Sequence, residues 1–411
     1  MSIHKQAETV RLFEGDRSLP ISNDLIAQAY SLPRSPEELR LKRSGFYELA
    51  DGTSAFTDGW TDYAHALLAG WRAHESTVLP DEVGTHGAWW RLYKQSEHRR
   101  SVITTTLHPI TRQDDGQPVA RLDQDGGLLL RGRQTFGEDA RFADELLVFI
   151  REEGAAEPTA AALIPRQTEG LRLTPTYGSG AAESSNGPVV AFYEEVAIPP
   201  ERLWVGQDSG SLNRLLGHPL VKSLADYQRA SRQLAAIELI AGTAFSLADH
   251  TGRGEELHIQ GELGELIQGM ETLKALLHAA ELGAAASPAG VLLPAAASLH
   301  AAALTAGETY GRAVDALRHI GAAAFLANPF ITTADSKING QPSLLQFAWR
   351  LAGSSEAARG RLHEQHAFGD KLSLSQELYR HYPAHLLRSR YREFWQSLQP
   401  LDGNYDSEVR T

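Results

Sequence analysis

The spacing of apolar residues changes twice along the chain, and each change marks a different kind of secondary structure. In about the first 95 residues apolar positions recur at helical intervals, and over 61–74 Leu67 and Trp71 fall on the same side. Another helix is predicted over 36–50, because Pro36 suits a first helical position and two glutamates follow it. The N-terminal region is therefore predicted to be helical.

From about residue 102 the apolar runs become short and rich in β-branched residues, which is typical of strands. Asp125, Gly126 and Gly127 separate two such runs and predict a hairpin. The segment 177–188, rich in glycine and serine, is predicted to be a surface loop. The strands are predicted at 102–107, 119–122, 128–131, 146–150, 161–164, 171–173 and 189–193.

Beyond about residue 218 the pattern returns to long helices, predicted at 224–250, 259–282, 296–320 and 344–366. Alanine-rich helices such as the third of these pack closely, which favours a helical bundle. The chain is therefore divided into a helical domain (1–98), a β domain (99–212) and a helical bundle (213–411), an α+β fold.

Composition narrows the function. The 411 residues carry a net charge of −12 and include no cysteine. The acidic balance argues against general nucleic-acid binding. The lack of cysteine excludes disulfides, thiolate metal sites and cysteine-ligated iron–sulfur clusters, and it fits a cytoplasmic protein. The polar N-terminus predicts no secretory signal, and no apolar run predicts a membrane span.

Two common cofactor motifs are missing from the sequence. Gly178 and Gly180 lie in a polar loop rather than after a strand, so no nicotinamide-binding fingerprint is found. No metal site is predicted, because the C-terminal histidines do not follow a ligating pattern. A short cluster of basic residues could contact a flavin phosphate, a reductase or solvent, and exposure to solvent is favoured. The cluster comprises Lys94, His98, Arg99 and Arg100.

Six segments, in the same order, resemble the oxygenase component of 4-hydroxyphenylacetate 3-monooxygenase and its relatives. They include the Asp62-Tyr63 segment and a closing helix that ends in Phe-Gly-Asp. The segments are 32–51, 59–68, 126–149, 189–208, 318–329 and 344–370.

This resemblance implies an acyl-CoA dehydrogenase-like fold with a helical domain, a β-barrel-like middle domain and a four-helix bundle. It also implies a two-component flavoprotein monooxygenase. A separate flavin reductase would supply FAD in its reduced form, and the chain would use O2 through a C4a-hydroperoxyflavin to hydroxylate a small molecule, which is expected to be aromatic. Relatives place FAD near a subunit interface, so a homodimer or homotetramer is expected.

The resemblance also implies site residues. Tyr63, Thr104 and His108 are the candidates for substrate contact and catalysis, although Tyr63 could instead pack beside Trp60 and Trp71. Two positions depart from the family: Gly59 replaces an arginine and Thr104 replaces a histidine, and His108 could supply an imidazole. The candidate flavin contacts are Thr106, Arg112, Thr135, Gly137, His319, Gly321, Asn328 and Pro329.

Other functions stay open on the same scaffold. Since an amine already has a nucleophilic lone pair, N-hydroxylation would need less activation than hydroxylation of a phenol. An acyl-CoA dehydrogenase-like oxidoreductase would need a carboxylate base, which no motif identifies. The two departures at Gly59 and Thr104 also allow a non-catalytic binding protein with a flavoprotein fold.

Overall fold

The fold is known from a computed structural model. It describes residues 23–51, 62–82, 84–106, 119–122, 126–155, 157–175, 188–328, 343–366 and 369–397.

The described residues of the N-terminal region are mainly helical, as predicted. Its helices are α1 (Asn23–Tyr30), α2 (Pro36–Asp51), α3 (Tyr63–Val78) and α4 (Gly87–Arg99). The helices predicted over 36–50 and 61–74 are confirmed as α2 and α3, whereas α4 was not predicted. Trp71 of α3 is fully buried and stacks edge-on against Trp204, which joins the helices to the β domain.

The described strands of the middle region are hydrogen-bonded into one eight-stranded sheet. They are β1 (Ile103–Thr105), β2 (Val119–Leu122), β3 (Leu128–Phe136), β4 (Glu145–Glu152), β5 (Ala160–Pro165), β6 (Leu171–Pro175), β7 (Val189–Ile198) and β8 (Leu203–Val205). Their order is β6-β7-β3-β2-β4-β5-β8, and β1 pairs with β4 in parallel.

The strand predictions are confirmed in number and order, with β8 as the exception that was not predicted. The predicted hairpin is the antiparallel β2–β3 pair, in which Val119 faces Arg131 and Leu122 faces Leu128. The β3–β7 pairing shifts register at Gly132, whose φ of 120° suits glycine. Residues of β4 and β5 are almost all buried, so this pair forms the centre of the domain.

The C-terminal region is built on three long helices: α6 (Pro219–His250), α7 (Leu257–Leu282) and α8 (Ala296–Ala327). The short helix α5 (Ser211–Gly217) precedes them, and the small strands β9 (Ala285–Ala286) and β10 (Leu292–Leu293) lie between α7 and α8. The helices that follow are α9 (Leu344–Ala352), α10 (Ser355–His366), α11 (Lys371–His381), α12 (Ala384–Arg390) and α13 (Arg392–Ser397).

Three of the four long helix predictions are confirmed, and the single helix predicted over 344–366 is wrong. The chain breaks there into α9 and α10, because Gly353 ends the first helix and Ser354 begins the second. The Ser354 hydroxyl accepts a hydrogen bond from the Ala357 amide at 3.0 Å, which is the role of an N-cap.

Helix α6 lies at the centre of the molecule and contacts α2, α3, α7 and α8. Gly70 of α3 faces the carbonyl oxygen of Val221, and a Cβ at Gly70 would collide with it. The side chain of Gln228 donates to Asp62 at 3.1 Å across the same interface. These contacts hold the start of α3, and hence Tyr63, against the first half of α6.

The division into domains at 98/99 and 212/213 stays a prediction; the first boundary falls at the end of α4 and the second within α5. Within the described ranges, no helix is both long and apolar enough to cross a bilayer.

Candidate functional site

Thr104, on β1, contacts a short turn that follows β3. It is buried on β1, and its hydroxyl donates to the carboxylate of Asp139 at 2.6 Å. Asp139 belongs to the 3-10 turn Glu138–Arg141 that follows Gly137. A Cβ at Gly137 would approach the Asp139 carboxylate to 2.8 Å, so glycine keeps this turn compact. The structure thus brings together Thr104 and Gly137, which the sequence had offered for different roles.

The neighbouring threonines differ in what their hydroxyls can do. Thr105 donates to the carbonyl oxygen of Leu147 at 2.9 Å and so serves the sheet. Thr106 follows the end of β1 and is 8% exposed, while Thr135 is exposed near the end of β3. Neither Thr106 nor Thr135 makes a side-chain hydrogen bond to any other described residue. Of these threonine hydroxyls, those of Thr106 and Thr135 are therefore available to bind a ligand.

Tyr63 begins α3 and is 8% exposed. Burial, reinforced by the negative charge of Asp226, raises the pKa of Tyr63 to about 12, so its phenol is neutral at pH 7. Lys222 and Arg229 act in the opposite direction. Tyr63 therefore lies in the buried core and also close to a charged stretch of α6.

The residue before Tyr63 is also unusual. Asp62 is 2% exposed, and burial raises its pKa to about 6, an effect that Lys42 and the hydrogen bond from Gln228 only partly offset. Lys42 itself is fully buried and donates to three backbone carbonyls, including that of Ala29 at 3.0 Å. This pair fixes the beginning of α3 between α2 and α6.

The proposed flavin contacts on α8 lie elsewhere. His319 is exposed and approaches Glu262 of α7 at 3.1 Å, and Arg253 donates to the carbonyl oxygen of His319 at 2.8 Å. Gly321 leaves space for the ring of Phe325 one turn later. Asn328 follows the last turn of α8 and is partly buried.

The candidate flavin contacts on α8 lie far from Tyr63 along the axis of that helix. His300, on the same helix, lies 4.0 Å from Asp226, which faces Tyr63. His319 is nineteen residues further on, about 28 Å at 1.5 Å per residue. One chain therefore does not bring Tyr63 and His319 into one small site.

Three candidates, His108, Arg112 and Pro329, lie outside the described residues, as does Gly59.

The residues that are described fit a flavin in chemical type. A flavin presents polar ring atoms along one edge, and the Thr106 and Thr135 hydroxyls can donate to or accept from such atoms. Gly137 is partly exposed and has no side chain to obstruct a ring. No group of three potential metal ligands occurs in the part of the chain that the structure describes.

An open cleft among the described residues lies at other positions. It has a volume of about 570 Å³ and lies between α3 and α4, lined by Arg72, Trp90 and Tyr93 among others. Arg72 is nine residues after Tyr63, which is two and a half helical turns and places it on the opposite face of α3. Tyr63 is therefore not among the residues that line this cleft.

Sequence reasoning missed the charged residues that surround Tyr63. Lys222, Asp226 and Arg229 follow the spacing i, i+4, i+7, which places them on one face of α6 and could have marked them as a group. No pattern in the sequence pairs them with His300, which comes from another helix.

Comparisons with known proteins agree with this architecture. Residues 221–340 match the family model described as the C-terminal part of 4-hydroxyphenylacetate 3-hydroxylase, HpaB. A probable 4-hydroxyphenylacetate 3-monooxygenase of Bacillus subtilis (strain 168) is 24% identical over 402 residues, which is 89% of this chain and 83% of that protein. The 4-hydroxyphenylacetate 3-monooxygenase oxygenase component of Geobacillus sp. (strain PA-9) is 24% identical over 418 residues, 91% and 84% of the two chains.

Solved structures show the same fold. The oxygenase component HpaB, in a crystal structure with FAD and 4-hydroxyphenylacetate, superposes with a TM-score of 0.74 at 21% identity, covering 90% of this chain and 84% of that one. A glutaryl-coenzyme A dehydrogenase complex superposes with a TM-score of 0.56 at 13% identity, covering 86% and 83%. The resemblance found in the sequence is thereby confirmed: the chain has the acyl-CoA dehydrogenase-like fold and is similar, over about nine-tenths of its length, to oxygenase components of 4-hydroxyphenylacetate 3-monooxygenase.

Proposed function

We propose that this chain is the oxygenase component of a two-component monooxygenase that uses reduced FAD and O2 to hydroxylate a small aromatic substrate. The observation that carries the proposal is the similarity to curated oxygenase components along nearly the whole chain. The overall reaction converts substrate, O2 and FADH2 into hydroxylated substrate, water and FAD, so one oxygen atom enters the product and the flavin supplies two electrons.

When bound, reduced FAD supplies those electrons and activates O2. The chain's own residues would bind and orient the flavin and keep water away. Thr106 and Thr135 would hydrogen-bond to polar atoms of the ring, and Gly137 would allow close approach. Tyr63, buried and neutral, would donate its phenolic proton in a hydrogen bond to the substrate. Exclusion of water matters because it suppresses loss of the activated oxygen as hydrogen peroxide.

A separate reductase would deliver the flavin in its reduced form. The sequence contains no nicotinamide-binding fingerprint, and the Geobacillus relative is named as an oxygenase component, which implies a partner.

We further propose that two or four copies assemble and share flavin sites. Tyr63 lies close to Asp226, which approaches His300 of α8, while His319, Gly321 and Asn328 lie about 28 to 42 Å further along α8 than His300. If all of these residues serve one flavin, the α8 residues must come from a neighbouring copy. The cytoplasmic location stays a prediction from the sequence.

The decisive experiment follows oxygen itself. Protein, reduced FAD and a substrate would be mixed anaerobically and then exposed to 18O2, with 4-hydroxyphenylacetate, 4-nitrophenol, indole and aniline as separate substrates and catalase present. We expect one 18O atom in a hydroxylated product, detected by mass spectrometry, and a reduced yield in the Thr135→Val variant. The proposal would be contradicted if, with every substrate, all the reduced FAD were oxidised to FAD while O2 was reduced only to hydrogen peroxide, with no 18O in any organic product. Label on the nitrogen of aniline alone would favour N-hydroxylation.

A further inference from the structure

A cluster of acidic, basic and imidazole groups lies beside Tyr63, and the candidates named from the sequence do not include it. Lys222, Asp226 and Arg229 project from one face of α6. Arg229 is 5% exposed, so this face is inside the protein and does not form a solvated surface. Tyr63 of α3 faces the same three charges.

His300 adds an imidazole to the cluster from α8. It is 5% exposed, and its Nε2 atom lies 4.0 Å from an Asp226 carboxylate oxygen. Its other ring nitrogen, Nδ1, is buried and has no hydrogen-bond partner among the described residues. Burial lowers the pKa of His300, although Asp226 acts to raise it, so the ring is neutral at pH 7.

This arrangement determines which nitrogen can accept a proton. A carboxylate near one ring nitrogen favours the tautomer that carries its hydrogen on that nitrogen. With the hydrogen on Nε2, facing Asp226, the lone pair is on Nδ1. The unpartnered atom of His300 is therefore the basic one.

The helix α11 closes the cluster from the far side. Glu377 lies 3.5 Å from the ammonium group of Lys222, and the ring of His381 lies 5.9 Å from that of His300. Asp226 and Glu377 stabilise a protonated His300, whereas Lys222 and His381 oppose it. Burial weakens the charge of Lys222, but the two carboxylates more than offset this and raise its pKa, so it stays protonated.

The carboxylates near Tyr63 already have partners, since Asp226 lies beside His300, Glu377 beside Lys222, and Asp62 accepts a hydrogen bond from Gln228, whereas Nδ1 of His300 has none among the described residues. Tyr63 itself is a neutral phenol, and Lys222 and Arg229 are cations. Thr104 is not a base, and its hydroxyl already donates to Asp139. Hydroxylation of a phenol is accelerated when its O–H proton is removed, because the phenolate carries more electron density at the ortho carbon.

We propose that His300, oriented by Asp226, is the base that accepts the phenolic proton of the substrate beside Tyr63. This inference rests on the proposed function. In the step, the substrate O–H bond breaks and an N–H bond forms at Nδ1 of His300. The electron pair stays on the substrate oxygen, where Tyr63 and the nearby cations stabilise it. Asp226 stabilises the imidazolium, which later returns its proton to the product oxygen, so no external acid is consumed.

The test uses 4-nitrophenol as the probe, because its phenolate absorbs visible light and its phenol does not. The apparent pKa of the bound probe would be measured by absorbance in the full-length protein without flavin, so that no oxygenation is needed. We expect the wild-type protein to lower the pKa of bound 4-nitrophenol by about one unit or more relative to the free probe, as a base paired with a carboxylate would.

Three variants make the test specific. His300→Gln should abolish the shift, and Asp226→Asn should reduce it, since the imidazolium would lose its counter-charge. His278→Gln, an exposed histidine on α7, is the matched control and should keep the wild-type shift. Thermal melts would establish that each variant is folded, and His300→Asn would replace His300→Gln if the latter is not.

Turnover gives a second readout. With a phenol that the wild-type enzyme hydroxylates, His300→Gln should lower kcat by about 10²- to 10⁴-fold with little change in KM, and the acidic limb of the pH profile should disappear. A folded His300 variant that keeps both the probe shift and the wild-type pH profile would overturn the inference. So would a wild-type protein that binds 4-nitrophenol without a shift, or does not bind it. Incorporation of 18O in that case would leave the proposed function intact.

Discussion

Glu75 offers a sharp test of how the N-terminal helices are held to the β domain. Glu75 as a whole is 9% exposed, and its carboxylate accepts hydrogen bonds from the indoles of Trp90 and Trp204, each at 2.6 Å. His86 approaches the same carboxylate at 2.9 Å. Glu75→Gln keeps the size of the side chain but replaces an acceptor oxygen with a donor, so at least one buried donor loses its partner and His86 loses its counter-charge.

The size of the effect follows from these contacts. Breaking a buried charge pair by changing one member costs about 3–5 kcal/mol, since an uncompensated group stays inside. Glutamine retains one acceptor, which places Glu75→Gln toward the lower end, about 3 kcal/mol. The midpoint of thermal unfolding should fall by on the order of 5 °C. The matched control is Glu97→Gln, a partly exposed residue paired with Lys94, which should change stability by less than about 0.5 kcal/mol.

The same pair predicts a pH dependence. Burial alone would raise the pKa of Glu75, but hydrogen bonds from His86 and the two indoles outweigh it, and the pKa is lowered. Burial likewise opposes protonation of His86, but Glu75 and the backbone of Val205 raise its pKa overall. The stability from Glu75 is thus lost as pH falls below about 4.5, and that from His86 is lost as pH rises through its raised value, above about 6.5.

Thermal and urea unfolding, followed by tryptophan fluorescence and circular dichroism, would measure both effects. The free energy of unfolding should differ most between wild type and Glu75→Gln at pH 4.5 to 6.5. These limits are the ordinary pKa values of the two groups. A Glu75→Gln protein as stable as the Glu97→Gln control across this range would refute the reasoning.

Three further predictions concern the site and its supports. Gly321→Ala places a methyl group into the ring of Phe325 and should lower the free energy of unfolding by about 1–3 kcal/mol, measured by thermal melts. The control Gly307→Ala, whose new Cβ would have its nearest neighbour 3.6 Å away, should not lower it. Thr104→Val removes one hydrogen-bond donor from the buried Asp139 carboxylate and should cost about 1–3 kcal/mol, whereas Thr135→Val should leave the melting temperature unchanged and weaken binding of reduced FAD in anaerobic titrations. Asp62 has a pKa raised from 3.8 to about 6, so the stability it contributes is present below pH 3.8 and lost as pH rises through 6; Asp62→Asn should remove that dependence from urea midpoints, and an unchanged slope would contradict it.

Part of the fold could be predicted because it depends on local pattern. Helical spacing in α2 and α3, and the long runs of α6, α7 and α8, are properties of neighbouring residues, and the structure confirms them. The break between α9 and α10 was missed because a glycine and a serine within a helical pattern are compatible with either outcome. Here the Ser354 side chain finds the Ala357 amide, and the second helix begins.

The sequence by itself determined the order of helical, β and helical regions and the resemblance to a family of flavin-dependent oxygenases. Both rest on short-range periodicity and on motifs in one order along the chain. Only the tertiary structure decided what surrounds Tyr63. Asp226 and His300 are 74 positions apart in the sequence, and they meet because α6 and α8 pack side by side.

The role of Thr104 was likewise decided in three dimensions. Its hydroxyl is committed to Asp139, thirty-five positions away. Periodicity specifies which face of an element is buried, but the partner that a buried polar group meets depends on how separate elements pack, and that information is not local.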